Sequence, residues 1–421
     1  MLPDLLATQR ACTHFHLNAY MRGSPLKLIE KPNVAESPDD ISLFRGGLFY
    51  RAQVVTHCEI GRWNLLRQLA LALAICWLPL LILTALLYPG QLKSLLTDYL
   101  LYARTVVAVP VLLIGQILME GRFRVIVTQF RKAELLGPDD LSRLDSAILT
   151  LKRLRDSPLP ELVILALVCA QLVLVWKTQL LASPSWAVTQ DSAGAHLKLT
   201  GWYFGLVSVP IYHFLLGLSC WRWLLWAFLL FRLSRMKLNL VATHPDQHGG
   251  LGFLGLLSIA FIPIAVVIST VIGGSWRKEI LESRATLSSF LVPAILLVVL
   301  NFAVDLFPLS FFAARLAAVR RRGMLEYGIL AQTRAAEFQE RWIANRAGQD
   351  PASLTADATL LADISLSYGN IRHMRPLPAD RNSLISLAAA VLVPLFPVVL
   401  AEIPFSDIVK GVLQAIKGVP I

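Results

Sequence analysis

Charged side chains are scarce in this chain: Asp, Glu, Lys and Arg make up 16% of its 421 residues, where soluble domains hold about a quarter. Together with 56% hydrophobic residues and a mean hydropathy of +0.60, that scarcity excludes an ordinary water-soluble globule. Cysteine is also sparse, and the five residues (Cys12, Cys58, Cys76, Cys169 and Cys220) show no CxxC spacing. Neither a disulfide framework nor a structural zinc is therefore expected. Short segments of alternating polarity are missing, which argues against a transmembrane barrel. The opening stretch MLPDLLATQRACTHFHLNAYMRGS has no basic start, apolar core and small-residue cleavage site. No removable signal peptide is expected, and the first span serves as the targeting element.

What the chain does contain is apolar blocks of about 20 residues, long enough to cross a hydrocarbon layer as helices. They predict an all-α polytopic membrane protein with seven transmembrane helices, near 65–87, 100–120, 160–182, 201–230, 251–274, 288–313 and 383–403. With the N-terminus cytoplasmic, about 26 Lys and Arg fall in 1–64, 121–158, 233–250 and 319–381 and about 7 in the opposite segments, the bias of the positive-inside rule. This gives N-in, C-out. The net charge of +11 is assigned to the anionic headgroups of a lipid bilayer rather than to nucleic acid, with Arg320, Arg321 and Arg322 directly after the sixth span.

The organisation follows from the breaks. In the N-terminal cytoplasmic segment 1–64, EKPNVAESPDD reads as a solvated loop and FRGGLFYRAQ as an amphipathic stretch. Its Phe44, Leu48, Phe49 and Tyr50 suit either the membrane interface or the cytoplasmic helices. Spans one and two fill 65–120. The second continues past Glu120 to Gly137-Pro138, where a new helix starts with Asp139 and Asp140 as caps and Leu141, Leu144, Ile148 and Leu151 on one face. Segment 121–158 is thus a helical hairpin, closed by SPLP (157–160). Spans three to six occupy 159–318, and a second hairpin, 319–381, breaks at GQDP (348–351) and leads through RPLP (375–378) into 382–421, the seventh span and a periplasmic tail. The two hairpins suit a parallel 3+1+3 repeat of the kind transporters use; the other reading is ordinary helix punctuation. Both hairpins are candidate docking surfaces for a cytoplasmic protein, and the chain is a candidate homo-oligomer.

Ionisable side chains deep in a span normally face a partner, a cavity or a pathway. The candidates are Arg104, His213, Arg222 and Asp305. Asp305 is the one acid well inside a span, so it can pair with Arg104 or Arg222 and leave one arginine to attract an anion; the alternative is that these residues only tie helices together. Prolines spread over six spans, including Pro110, Pro210 and Pro308, point to kinked helices.

The stretch THPDQHGGLGFLG (243–255) is the other candidate. His244, Asp246 and His248 are potential metal ligands. Glycines before a helix, with Arg235 and Lys237 nearby, suit a small anion or lipid phosphate. His-Pro-Asp after a basic helix is similar to the J-domain tripeptide, but a membrane span follows where that fold needs a soluble helix. The structural reading is that Thr243 or Asp246 caps the fifth span and the glycines permit close packing.

RGGLFYRAQ (45–53), LLYARTVVAVPVLL (100–113), GWYFGLVSVPIYHFLL (201–216), WRWLLWAFLL (221–230) and THPDQHGGLGFLG together resemble a group of bacterial polytopic inner-membrane proteins. The resemblance implies a bacterial inner membrane and carries no activity. The leading functional expectation is a channel or carrier for a small anion, with Arg104, His213, Arg222 and Asp305 along its path and no cofactor. A scaffold binding a partner through its hairpins and a metalloenzyme at 244–248 are the alternatives.

Overall fold

The computed structural model describes residues 42–56, 62–181, 185–191, 194–283, 285–344 and 351–402. Expectations for 1–41, for the break within 345–350 and for 403–421 lie outside the described residues. Among the described residues the fold is all-helical in class, with 83% helix and 2% strand. Helix α1 is Gly47–Val55, α2 Asn64–Leu87 and α3 Tyr99–Lys132. Next come α4 (Pro138–Asp156) and α5 (Leu159–Leu181), the hairpin β1 (Val188–Asp191) and β2 (Gly194–Leu197), and α6 (Leu199–Ser234). Then follow α7 (Leu256–Ala260), α8 (Ile262–Ser283), α9 (Leu287–Ser310), α10 (Ala313–Phe338), α11 (Pro351–His373) and α12 (Arg381–Val399).

Five of the described helices, α2, α3, α6, α9 and α12, are long and apolar enough to cross a membrane, and a sixth crossing is counted if α4 and α5, bent by 42°, form one broken span. The seven expected segments are therefore not all continuous spans. The fifth is broken at Phe261 into α7 and α8, and α8 carries Arg277, Lys278, Glu279 and Glu282 in its last turns. Helix α8 is nonetheless central, with Val267 and Ser269 fully buried. It runs antiparallel to α3, against which small residues allow close approach. A Cβ on Gly115 would lie 2.7 Å from Pro263 Cβ, and one on Gly274 would lie 3.2 Å from Leu100.

The two hairpins are packed differently. Helix α4 begins with a proline at its first position, and Gly137 provides no side-chain cap. The expected cap is redirected: Asp140 Oδ2 accepts the Lys237 amide beyond the end of α6 at 3.2 Å. Leu144, Ile148 and Leu151 are buried and Leu141 packs on the same core, as their spacing predicted. In contrast, α10 and α11 leave Leu325 and Ile329 70% exposed and Leu366 69% exposed. At the opposite end of the bundle, the β1–β2 hairpin forms where no strand was expected. Trp186, beside it, is fully buried and donates to Asp98 Oδ2 at 2.9 Å.

Two breaks in helical geometry share one sequence. Within α3, residues Ala103–Ala108 form a π-helical turn just before Pro110; within α6, Phe204–Ser208 do the same before Pro210. The flanking sequences are VAVP (107–110) and VSVP (207–210). A proline removes the amide that would bond four residues back, and a π turn lets a neighbouring amide reach five back instead. Helices α3 and α6 pack together at this level, where Val109, Leu112, Tyr212 and Leu215 share one core.

Candidate functional site

The four predicted intramembrane residues do not form one cluster. Arg104 lies in the π turn of α3, with Asp98 and Tyr212 as its electrostatic neighbours. Its Nε is buried without a hydrogen-bond partner. His213 is close enough to sense its charge. The ring Nδ1 of His213 lies 2.9 Å from the Val209 carbonyl and Nε2 lies 3.2 Å from Gln171 Nε2. That geometry assigns the neutral tautomer: Nδ1–H donates to the carbonyl, and Nε2 accepts from the carboxamide. Both ends of the ring are fixed, and Arg104 is left as the cation beside it.

Arg222 belongs to a different site, one that sequence reasoning saw only in part. It is buried, its guanidinium sits 4.1 Å from the centre of the Phe44 ring, and Glu120 and Glu161 are its electrostatic neighbours. Its Nη1 has no partner. Asp98 neighbours Arg104 without forming an ion pair with it, and Glu120 and Glu161 neighbour Arg222. Asp305 stands on α9, two residues from Phe307, whose ring contacts Trp223.

What brings the buried charges together is the segment Ser42–Phe49. Glu120 Oε2 accepts the Leu43 amide at 3.1 Å, and Glu161 Oε2 accepts the Phe49 amide at 2.8 Å, capping the start of α1 from another helix. Arg155 donates to the Ser42 carbonyl while gripping Asp156 through two bonds of 2.7 and 3.0 Å. Ser42 Oγ in turn accepts the amides of Phe44 and Arg45. Glycine is required at the centre. Gly47 has φ +84, and a Cβ there would fall 2.0 Å from Glu161 Oε1; one on Gly46 would fall 2.1 Å from Asp156 Oδ1. Of the aromatic residues left open between interface and helices, Phe44 is buried and Phe49 packs edge-on against Phe214. The signal in the sequence was Arg-Gly-Gly before an amphipathic stretch; Glu120 and Glu161, each at the end of a span, gave no hint of convergence.

The 243–255 loop folds around its own carboxylate. Asp246 Oδ1 accepts the amides of His248 (2.8 Å) and Gly250 (3.1 Å), and Oδ2 accepts that of Gly252 (2.8 Å). His244 Nδ1 lies 2.8 Å from the same Oδ1. Asp246 therefore occupies the position that a bound anion would take in a nest of amides. His248 is buried, with Nε2 3.9 Å from Asp380. Among the described residues no group of His, Cys, Asp or Glu is arranged to hold a metal; His244 meets Asp246, whereas His248 turns to Asp380. The loop is a clamp: Gln247 accepts the Arg375 amide (2.9 Å) and Gly255 accepts Ser383 Oγ (3.2 Å), which fastens both ends of the link from α11 to α12. Arg235 stacks on Phe231 at 5.1 Å, and Lys237 contributes its backbone amide to Asp140.

Burial pushes the Asp246 carboxyl up, but the amides of His248, Gly252 and Gly250 with the His244 ring outweigh it and hold the carboxyl below its usual range. A depressed folded value means that the clamp's stabilisation is complete above the ordinary Asp value of about 4 and disappears as pH falls through the folded one. Amide exchange at Gly250 and Gly252, corrected for intrinsic rate, is expected to accelerate in that acid window. In Asp246→Asn the pH-dependent part should vanish, and an unchanged profile in that variant would refute the assignment.

A groove of about 590 Å³ between α2 and α6 is lined only by apolar side chains, among them Leu78, Pro79, Ile82 and Trp202, and contains none of the polar residues above. The fold thus has the helices of a multi-pass membrane protein, with two buried polar sites and one loop clamp. Compared with family models, curated proteins and solved structures, the chain shows no match.

Proposed function

We propose that the protein moves a small anion across the membrane, with Arg104 as the binding cation. The observation that carries this reading is the guanidinium of Arg104, set in a π turn, with a buried unpartnered Nε and no carboxylate within ion-pair distance among the described residues. A cation in a low-dielectric interior without a paired charge is costly unless something fills its place. Tyr212 and the His213–Gln171 pair supply neutral polar groups beside it. The paired π turns of α3 and α6 flank this point, and such irregularities are frequent at functional sites. Arg222 lies further along α6 toward the end where Ser42–Phe49 docks, and with Glu120 and Glu161 as its neighbours it is balanced there, which leaves Arg104 as the binding cation. In the orientation we adopt, with the basic end cytoplasmic in a bacterial inner membrane, that segment closes the path from inside.

Purified protein in liposomes is expected to pass at least one of chloride, nitrate, phosphate or a small carboxylate. Arg104→Gln should reduce the flux at least about tenfold, the scale of one lost charge-assisted contact, while Arg104→Lys retains part of it. Absence of flux for the whole panel, or full flux in Arg104→Gln, would overturn the proposal.

A further inference from the structure

Helix α5 is attached to the bundle along one stripe and exposed on the rest. Val168 faces inward, while Val163, Leu167, Val173 and Leu174 are 48%, 64%, 75% and 77% exposed. Leucine and valine on a lipid-facing surface need no partner. Gln171, near the middle of α5, does. It lies on the exposed side, and its one hydrogen bond among the described residues runs from Nε2 to His213 Nε2. With that bond made, the second Nε2 hydrogen and both lone pairs of Oε1 remain. Turned toward hydrocarbon, these groups have no water to bond, a cost of several kcal/mol for a polar group in lipid.

The surroundings of Gln171 are those of a helix–helix seam. Val163, Leu167, Gln171 and Leu174 follow one another at spacings of four, four and three residues, which places them on one face. On the adjoining helix α6, Cys220 and Leu224 are exposed on the same side as His213. A carboxamide is self-complementary: two of them related by a two-fold axis satisfy each other through a pair of reciprocal N–H···O bonds. A single polar residue in an otherwise apolar seam also fixes register, and a two-fold interface requires each patch to match itself.

We infer that the α5–α6 face is where a second copy of this chain docks, forming a two-fold dimer in the membrane with Gln171 facing Gln171 of the second copy. The pair is held on each side by its own His213, so the carboxamide is oriented before the copies meet. The contact does not use Arg104 itself, but it adjoins the anion path at His213, whose ring holds the same carboxamide.

The test uses the full-length protein in lipid. Leu174→Cys and Leu167→Cys are expected to form disulfide-linked dimers on mild oxidation, while Leu296→Cys, 64% exposed on α9, should not. Single-molecule photobleaching of labelled protein in vesicles should show two steps. Gln171→Leu, which places an apolar residue on a lipid-compatible surface and leaves folding intact, should weaken dimerisation at least about tenfold, the scale of an interhelical polar pair; Gln171→Asn should retain part of it. One-step bleaching in the unaltered protein, equal crosslinking at Leu174→Cys and Leu296→Cys, or undiminished dimer in Gln171→Leu would each overturn the inference.

Discussion

Replacing Gly47 with valine is expected to prevent Ser42–Phe49 from docking and to destabilise the protein by about 3 kcal/mol or more. Two independent penalties combine. A β-branched residue at φ +84 is a conformational outlier, and the left-handed region costs an L-residue roughly 1–2 kcal/mol before any contact is considered. The added Cβ also falls 2.0 Å from Glu161 Oε1, so the carboxylate must leave the Phe49 amide it caps. Gly137→Ala is the matched comparison. Gly137 has φ −70, and nothing lies within 4 Å of its Cβ position, so alanine there should be neutral or slightly stabilising through the unfolded chain. Thermal unfolding of both variants in detergent checks the pair, and equal midpoints would refute the account of the Arg-Gly-Gly cradle.

Glu161→Leu is the second large effect. The substitution removes the acceptor of the Phe49 amide and one of the two carboxylates that neighbour the buried Arg222. A bond to a charged group contributes about 1.5–3 kcal/mol, and stripping counter-charge from a buried cation adds to that, so a loss of about 3–5 kcal/mol is expected. Glu161→Gln keeps an oxygen for the amide and loses only the charge, and should fall between. Trypsin cleavage at Arg45 and Arg51 reports undocking directly: Glu161→Leu should be cut faster than the unaltered protein. A change in stability below about 0.5 kcal/mol, the range of an ordinary surface substitution, would refute the proposed role.

The all-helical architecture was legible because apolar blocks near 20 residues leave no other way to satisfy the backbone in lipid. The fifth block departs from one continuous helix. Its apolar composition does not reveal the bend at Phe261, and it obscures that the charged end of α8 stays attached to a buried helix. Arg104 and Arg222 were legible as buried charges from their positions in apolar runs, but their neighbours were not. Asp98 and Glu161 sit at helix starts and Glu120 at the end of an apolar block, where a carboxylate ordinarily meets water, and only the fold returns residues 42–49 to Glu120 and Glu161. Asp246 was expected to cap the fifth span and instead gathers the amides of its own loop; that this loop fastens the α11–α12 link was not legible, since Gln247 and Arg375 lie far apart in sequence. The shared VAVP and VSVP were visible in the sequence and became informative once both were seen to follow a π turn.

The docking of Ser42–Phe49 also sets an order of events during biosynthesis. The Phe49 amide and the carboxylate that caps it are 112 residues apart in sequence, and the guanidinium over Phe44 comes later still. A growing chain therefore exposes its Arg-Gly-Gly segment long before α4, α5 and α6 exist to receive it. Ribosome-bound chains ending before Glu161 should keep Arg45 and Arg51 open to protease, and chains extending beyond α6 should close them.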